Sequence, residues 1–228
     1  MILITCQQVF GMGAFFNKGW KKEKSREGFS VYTRDEPNSD LVGIKVEGNI
    51  KATLPCAMST LREVEGAVEW IPGQISKTTI ENISDLEAIT YSLSDLPWPL
   101  SNREMVLHNK LHLDLKKDLL FVISKTVVHP KYKRVADGTV RAIVHYSNIG
   151  LRPIDKNTTF IDLTVFVDPK GSIPSWVVNF YQQGWPVEFL KALETRCGET
   201  KPKLLPGLRR YMNRLLKHMK LPRNMFKE

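Results

Sequence analysis

From Val42 to Val167 the chain changes polarity at almost every second residue, and this alternation restricts it to a fold built from strands that keep one face wet. Between Val42 and Leu54 the residues Val42, Ile44, Val46, Ile50 and Leu54 point one way, while Lys45, Glu47, Asn49 and Lys51 point the other. Gly48 interrupts the apolar series and predicts a bend. The same pattern predicts strands over 74–84, 87–94, Met105–Leu115, Leu119–Val128, Val140–His145 and Thr159–Val167. One interruption follows Pro55, where Met58, Leu61, Val64 and Val68 take helical spacing, so one or two short helices are expected to end near Pro72-Gly73.

After the turn Asp168-Pro169-Lys170-Gly171 the period changes. Ser172 can cap a helix and Pro174 suits its first turn, and Ile173, Val177, Phe180, Gly184, Val187 and Leu190 fall on one stripe. This predicts one long helix, kinked by Gly184 and Pro186. Many consecutive strands followed by one helix imply an α+β fold, an antiparallel sheet curled around that helix.

The 228 residues suit one domain with tails, and 42% apolar composition supplies a sizeable core. The net charge of +9 is concentrated. Residues 199–228 carry nine Lys or Arg and two Glu, a balance of nine minus two, or +7, so the body is near neutral. Nucleic-acid binding calls for a basic face on the folded domain itself, so no nucleic-acid partner is expected, and the charge points to a local contact with an anionic surface. Cys6, Cys56 and Cys197 are spaced too widely for a zinc pattern and are read as free thiols. No run approaches the ~20 apolar residues of a spanning helix. The start, MILITCQQVFGMGAFF, is either a short first helix or the remnant of a signal, which leaves a cytoplasmic protein as the expectation and an exported or periplasmic one as the alternative if residues 1–14 are such a remnant.

Catalytic and metal-binding constellations are not found. His108 and His112 lie four residues apart on one face of a strand, ~13 Å from each other, too far for one ion. There is no GxSxG, HExxH or P-loop pattern. No cofactor is expected. Asn109 stands out as a lone amide on the apolar face of the Met105–Leu115 strand and needs a partner: backbone, water or a ligand head group. Trp98, held between Pro97 and Pro99, either plugs a core or presents an apolar surface. Leu204, Leu208, Tyr211, Leu215 and Met219 form an apolar stripe opposite Arg209, Arg210, Arg214 and Lys217, a helix able to lie on a membrane or to dock on the domain.

Taken in order, GFSVYTR, EWIPG, PWPLSNREMV and DPKGSIPSWVVNFYQQGWPVEFLKALE resemble the StAR-related lipid-transfer (START) family, over residues from about Trp20 to Arg196. The resemblance implies a helix-grip fold, a curved antiparallel sheet wrapped around a long C-terminal helix and enclosing a hydrophobic tunnel for one lipid. It divides the chain into a segment 1–19, a lipid-binding domain 20–196 and a basic tail 197–228. By the same resemblance, Asp95–Arg103 forms a lid loop with Trp98 and Pro99 at its tip. Arg103 holds the loop base through an ion pair or a backbone contact, and Trp176, Val177, Phe180 and Tyr181 meet lid and lipid. Sterol-carrying members bury an acidic and a basic residue where this chain has Thr90 or Tyr91, and Asn109. Lys125, among Phe121, Ile123 and Val127, is the one cation expected on an inward face.

The expected function is therefore non-enzymatic. A monomer binds one phospholipid, sterol or fatty acid and carries or presents it, opening its lid at a peripheral membrane surface. The alternatives are a lipid-gated protein-interaction module or an enzyme built in a helix-grip cavity.

Overall fold

The computed structural model describes residues 19–226 apart from Pro97 and Pro99; at Trp176, Phe180, Tyr181 and Gln182 it describes the backbone only. The N-terminal segment, read as a short helix or signal remnant, lies outside the described residues, as does Cys6.

The chain runs β1 (Lys21–Lys22), β2 (Ser30–Asp35), β3 (Val42–Ile50), α1 (Leu54–Arg62), α2 (Ala67–Trp70), β4 (Gln74–Ser84), β5 (Glu87–Ser94), β6 (Asn102–Asp114) and β7 (Leu119–Thr126). A 3-10 turn at Pro130–Tyr132 leads to β8 (Thr139–Arg141), β9 (Ile143–Pro153), β10 (Thr159–Asp168), α3 (Ser175–Glu199) and α4 (Pro206–His218). The strands form one curved sheet in the order β1-β2-β3-β10-β9-β7-β6-β5-β4, open between β1 and β4, with β8 added in parallel to the start of β6. Every pairing along the path is antiparallel.

Inward residues follow the alternation read from the sequence. On β3, Ile44, Val46 and Ile50 are fully buried and pack with Ile161 and Leu163 of β10 and Leu120 of β7. Gly48 falls in this apolar series because a side chain there would strike the Phe29 ring, which covers it, with ring carbon Cδ1 only 2.7 Å from the position of a Cβ. Against this surface lies α3, contributing Val187, Phe189, Leu190 and Leu193. Trp185 stacks on Phe189 at 5.3 Å, Phe189 meets Trp70 of α2 at 5.3 Å, and the Trp185 indole donates to Pro72 O at 3.2 Å. Trp185 thus fastens α3 to the segment that follows α2.

Two local expectations differ. The helix starts at Ser175 with Pro174 in the N-cap position and no side-chain cap, so Ser172 is not the cap. Pro174 has no N–H and a fixed φ, and helical backbone begins directly after it. The helix runs as one element through Gly184 and Pro186; the missing proline N–H removes one helix bond, while burial of Val187 and Leu190 holds the turn in place. The segment expected as a single strand at Val140–His145 divides at Ala142: β8 pairs with β6, and β9 turns to pair with β7 and β10 as far as Pro153.

The basic tail is a structural layer. Leu208, Met212, Leu215 and Leu216 of α4 are buried in the same cluster as the sheet and α3. The helix is pinned at both ends, its Gly207 N–H donating to Asp85 Oδ2 at 2.8 Å and His218 lying 3.4 Å from Asp118. Residues 204–219 therefore continue the domain that the sequence reading closed at Arg196. Cys56 and Cys197 are free thiols that meet where α1 crosses the end of α3, both within 3.8 Å of the Thr60 hydroxyl.

Candidate ligand cavity and lid loop

Between α1, the inner face of β4–β7 and α4 lies a mainly apolar cavity of about 60 Å³, bounded by Met58, Leu61, Val64, Ala88, Leu111, Val122 and Leu208. Its polar wall comes from Lys77, Thr90 and Asn109. Arg62, Asp85, Glu87 and Lys110 stand around it too, each held by a neighbour: Arg62 donates to Asn82 Oδ1 at 2.7 Å, Asp85 accepts from Gly207, and Lys110 lies 3.2 Å from Glu87.

Asn109 lies on the inner face, as its place among Leu107 and Leu111 predicts, but its polar atoms are engaged by the sheet. Its amide donates to Thr90 Oγ1 at 2.9 Å and to Leu107 O at 3.2 Å, and its Oδ1 accepts from Ser124 at 2.7 Å. A backbone partner is present, as one of the expected options, together with two side chains, Thr90 and Ser124, that the alternation does not point to. A fully satisfied amide costs little to bury and leaves few valences for a ligand.

Two residues expected at the cavity face the other way. Lys125 is opposite His108 and exposed; Phe121 and Ile123 share that outer face, opposite His112 and Lys110. The apolar neighbours that made Lys125 look inward are themselves outward. Tyr91 pairs with Val106, also on the outer face, where its ring stacks on Tyr132 at 4.7 Å and its hydroxyl donates to Glu104 Oε2 at 3.2 Å. Burial and the Glu104 carboxylate push the Tyr91 hydroxyl up to about 12. Glu104, 1% exposed, pairs with Arg141 and accepts the Ala136 N–H at 3.2 Å, so the 127–142 loop is fastened across the back of the sheet.

The inward cation is Lys77. It pairs with Ser92, which stands on the same face as Thr90 and Asn109. Strand parity fails to find it because β4 has three register shifts, at Gln74/Ser76, Thr79/Glu81 and Asn82/Ser84. Along this irregular strand Ile75 and Ile83, which share the parity of Lys77, are exposed while the lysine faces inward. Lys77 keeps some open surface, as a cavity-lining side chain does, yet loss of water around its ammonium group pulls its pKa down to about 8.

The loop joining β5 to β6 stands at the opposite end of the sheet from α4. Trp98 is 91% exposed, which excludes the core-plug reading and leaves it presenting an apolar surface. Val128, 87% exposed, follows β7 towards the same end. Pro97 and Pro99 lie outside the described residues. Arg103 closes the loop base through main-chain carbonyls. Its guanidinium donates to Pro169 O at 2.7 Å, to Lys170 O at 3.0 Å and to Ser101 O. Of the two contacts first considered, the backbone one is present, and Glu104, on the other face of the strand, pairs with Arg141. The turn that supplies these carbonyls has positive φ at Lys170 (52°) and Gly171 (78°). A Cβ on Gly171 would lie 3.3 Å from the Arg103 guanidinium.

On α3, Val177 is half-buried and Val178 fully buried. The expected roles of the Trp176, Phe180 and Tyr181 side chains fall outside the described residues. Arg209, Arg210, Arg214 and Lys217 are all exposed along the outer side of α4. Since α4 rests on the β4–β5 and β6–β7 turns, this basic face and Trp98 occupy opposite ends of the molecule. Among the described residues no helix is long and apolar enough to cross a membrane.

Known proteins are similar to this chain. The chain is 30% identical to the steroidogenic acute regulatory-like protein 1 of Caenorhabditis elegans, covering 78% of this chain and 71% of that protein. It is 23% identical to the phosphatidylcholine transfer protein of Mus musculus, covering 78% and 83% respectively. The structure of the STAR-related lipid transfer protein of Xanthomonas axonopodis superposes with a TM-score of 0.68 at 28% identity, over 79% of this chain and 99% of that one. With the START domain matched across residues 5–203, a gripped helix behind a curved open sheet and an arginine-clamped loop, the chain belongs to the START domain family.

Proposed function

We propose that this protein binds one lipid against the inner face of its sheet, carries or presents it without chemical change, and exchanges it by opening the β5–β6 loop at a membrane. The observation that carries this reading is the mainly apolar cavity on the inner sheet face, in a chain similar to a phosphatidylcholine transfer protein and a STAR-related lipid transfer protein. Burying an acyl chain is worth ~0.8 kcal/mol per CH₂. The cavity's 60 Å³ is below the ~300–1,000 Å³ of typical ligand sites, so a whole lipid requires the wall to widen. Native mass spectrometry of protein exposed to a lipid extract tests the reading. A one-to-one lipid adduct is expected; an unliganded mass after exposure to phospholipids, sterols and fatty acids would overturn it.

Trp98 is the residue through which the loop meets the bilayer, an amphipathic ring suited to the headgroup level. Because it is 91% exposed, Trp98→Ala is expected to change stability by less than about 0.5 kcal/mol while slowing lipid transfer between vesicles several-fold. Unchanged transfer with intact binding would remove the loop from the exchange step.

The basic face of α4 is a second contact, electrostatic rather than inserted because its apolar side is buried. Replacing Arg209, Arg210, Arg214 and Lys217 with Gln is expected to weaken association with phosphatidylserine-containing vesicles by about 1 kcal/mol per residue at low salt, and the difference should vanish as salt rises. Equal association at low salt would make α4 a purely structural cap.

A further inference from the structure

We propose that Lys77 is the head-group site of this cavity and that it selects a long-chain carboxylic acid, whose carboxylate pairs with the lysine ammonium while the chain lies along the apolar wall. The inference rests on the lipid-carrier reading and adds to it the class of cargo.

Three observations meet at Lys77. It lies on the inner sheet face, in register with Ser92 and beside the Thr90–Asn109 pair, and it borders the cavity. The other charged side chains around the cavity have partners within hydrogen-bonding or ion-pair distance: Arg62 with Asn82, Asp85 with Gly207, and Glu87 with His108 and Lys110. Among the described residues Lys77 has neither a hydrogen-bond acceptor nor a carboxylate. An ammonium kept from water without a counter-ion is destabilising, and a fold that retains one gains from any anion that reaches it. Desolvation shows in the Lys77 pKa of about 8, a value that still leaves the group mostly charged at neutral pH.

The chemistry of the missing partner follows from charge and size. One ammonium balances one negative charge. Among the described residues the other cations around the cavity are committed, Arg62 to the β4–β5 turn and Lys110 to Glu87, and Lys125 is exposed on the outer face. A phosphate monoester, with nearly two charges, is poorly matched. A zwitterionic phosphodiester brings a cationic group that Lys77 would repel. A carboxylate is the smallest head group with one charge and two acceptors, and Met58, Leu61, Leu111, Val122 and Leu208 offer its chain a continuous apolar surface.

The test compares oleate, methyl oleate, dodecyl phosphate and phosphatidylcholine vesicles as ligands of the full chain at pH 7, for the natural protein and for Lys77→Met. The natural protein is expected to bind oleate at least ten-fold more tightly than methyl oleate. Lys77→Met should lose that preference while binding methyl oleate as well as before. Its melting temperature should not fall, because an unpaired charge has been replaced by an apolar chain of similar length. Equal affinity of the natural protein for oleate and methyl oleate would overturn the head-group assignment while leaving the carrier reading intact, as would a preference for dodecyl phosphate or an unchanged oleate preference in Lys77→Met. Failure to bind any of the four would overturn the head-group assignment, and failure to bind sterols as well would overturn the carrier reading. The comparison within the natural protein decides the matter even if the variant does not fold.

Discussion

A chain shortened to residues 1–203 is expected not to reach a cooperative folded state, although the family match ends at that residue. The deleted α4 contributes Leu208, Met212, Leu215 and Leu216, each at most 5% exposed. Burying a side chain of this size stabilises by about 1.5–3 kcal/mol, so the four together amount to roughly 6–12 kcal/mol, comparable to the ~5–15 kcal/mol that separates a typical domain from its unfolded state. The loss also uncovers Met58 and Leu61 of α1 and one end of the cavity. Urea unfolding followed by fluorescence should show a broad transition with no native baseline, and the shortened chain should bind hydrophobic dyes. A sharp transition within about 2 kcal/mol of the full chain would mean that α4 is an appendage.

Arg103→Ala is expected to cost about 3–5 kcal/mol, lowering the melting temperature by roughly 6–20 °C for a domain of this size. The guanidinium is 5% exposed and donates to three main-chain carbonyls, those of Ser101, Pro169 and Lys170, fastening the base of the β5–β6 loop to the turn before α3. Each charged hydrogen bond is worth about 1.5–3 kcal/mol, offset in part because the desolvated cation disappears with its partners. Burial already lowers the Arg103 pKa, so the cation is not held by a carboxylate. Arg103→Lys keeps the charge but not the planar fork and should recover less than half of the loss. A Lys variant equal to the natural protein in thermal and urea melts would show that charge, not geometry, is what the turn requires.

The parts of the fold that were legible in the sequence are those where burial on one face leaves a periodic trace. The strands β3, β5, β6, β7 and β10, the long α3 and the turn at Asp168–Gly171 are of this kind. Parity also placed Asn109 inward and His108 outward, because β6 pairs with β5 and β7 without a register shift. Where parity breaks, inference broke with it. The three shifts along β4 concealed Lys77, and Phe121 and Ile123 suggested an inward Lys125 because apolar residues on the outer face look the same in sequence as those in a core. Tyr91 was displaced for a related reason: the 127–142 loop covers the back of β5 and β6, burying Val106 and Glu104 on a face that a two-sided sheet would leave to water.

The amino-acid order by itself determined where most of the strands and the long helix lie, that Trp98 stands between two prolines, and which segments resemble a lipid-carrying family. These are local properties, set by periodicities of two and 3.6 and by the backbone limits of proline and glycine. The tertiary structure alone decided that α4 belongs to the core, that Arg103 holds carbonyls 66 and 67 residues away, and that an unpartnered lysine faces the cavity. Each of those depends on which distant surfaces come together, and burial and hydrogen bonding between residues far apart in the chain leave no periodic trace along it.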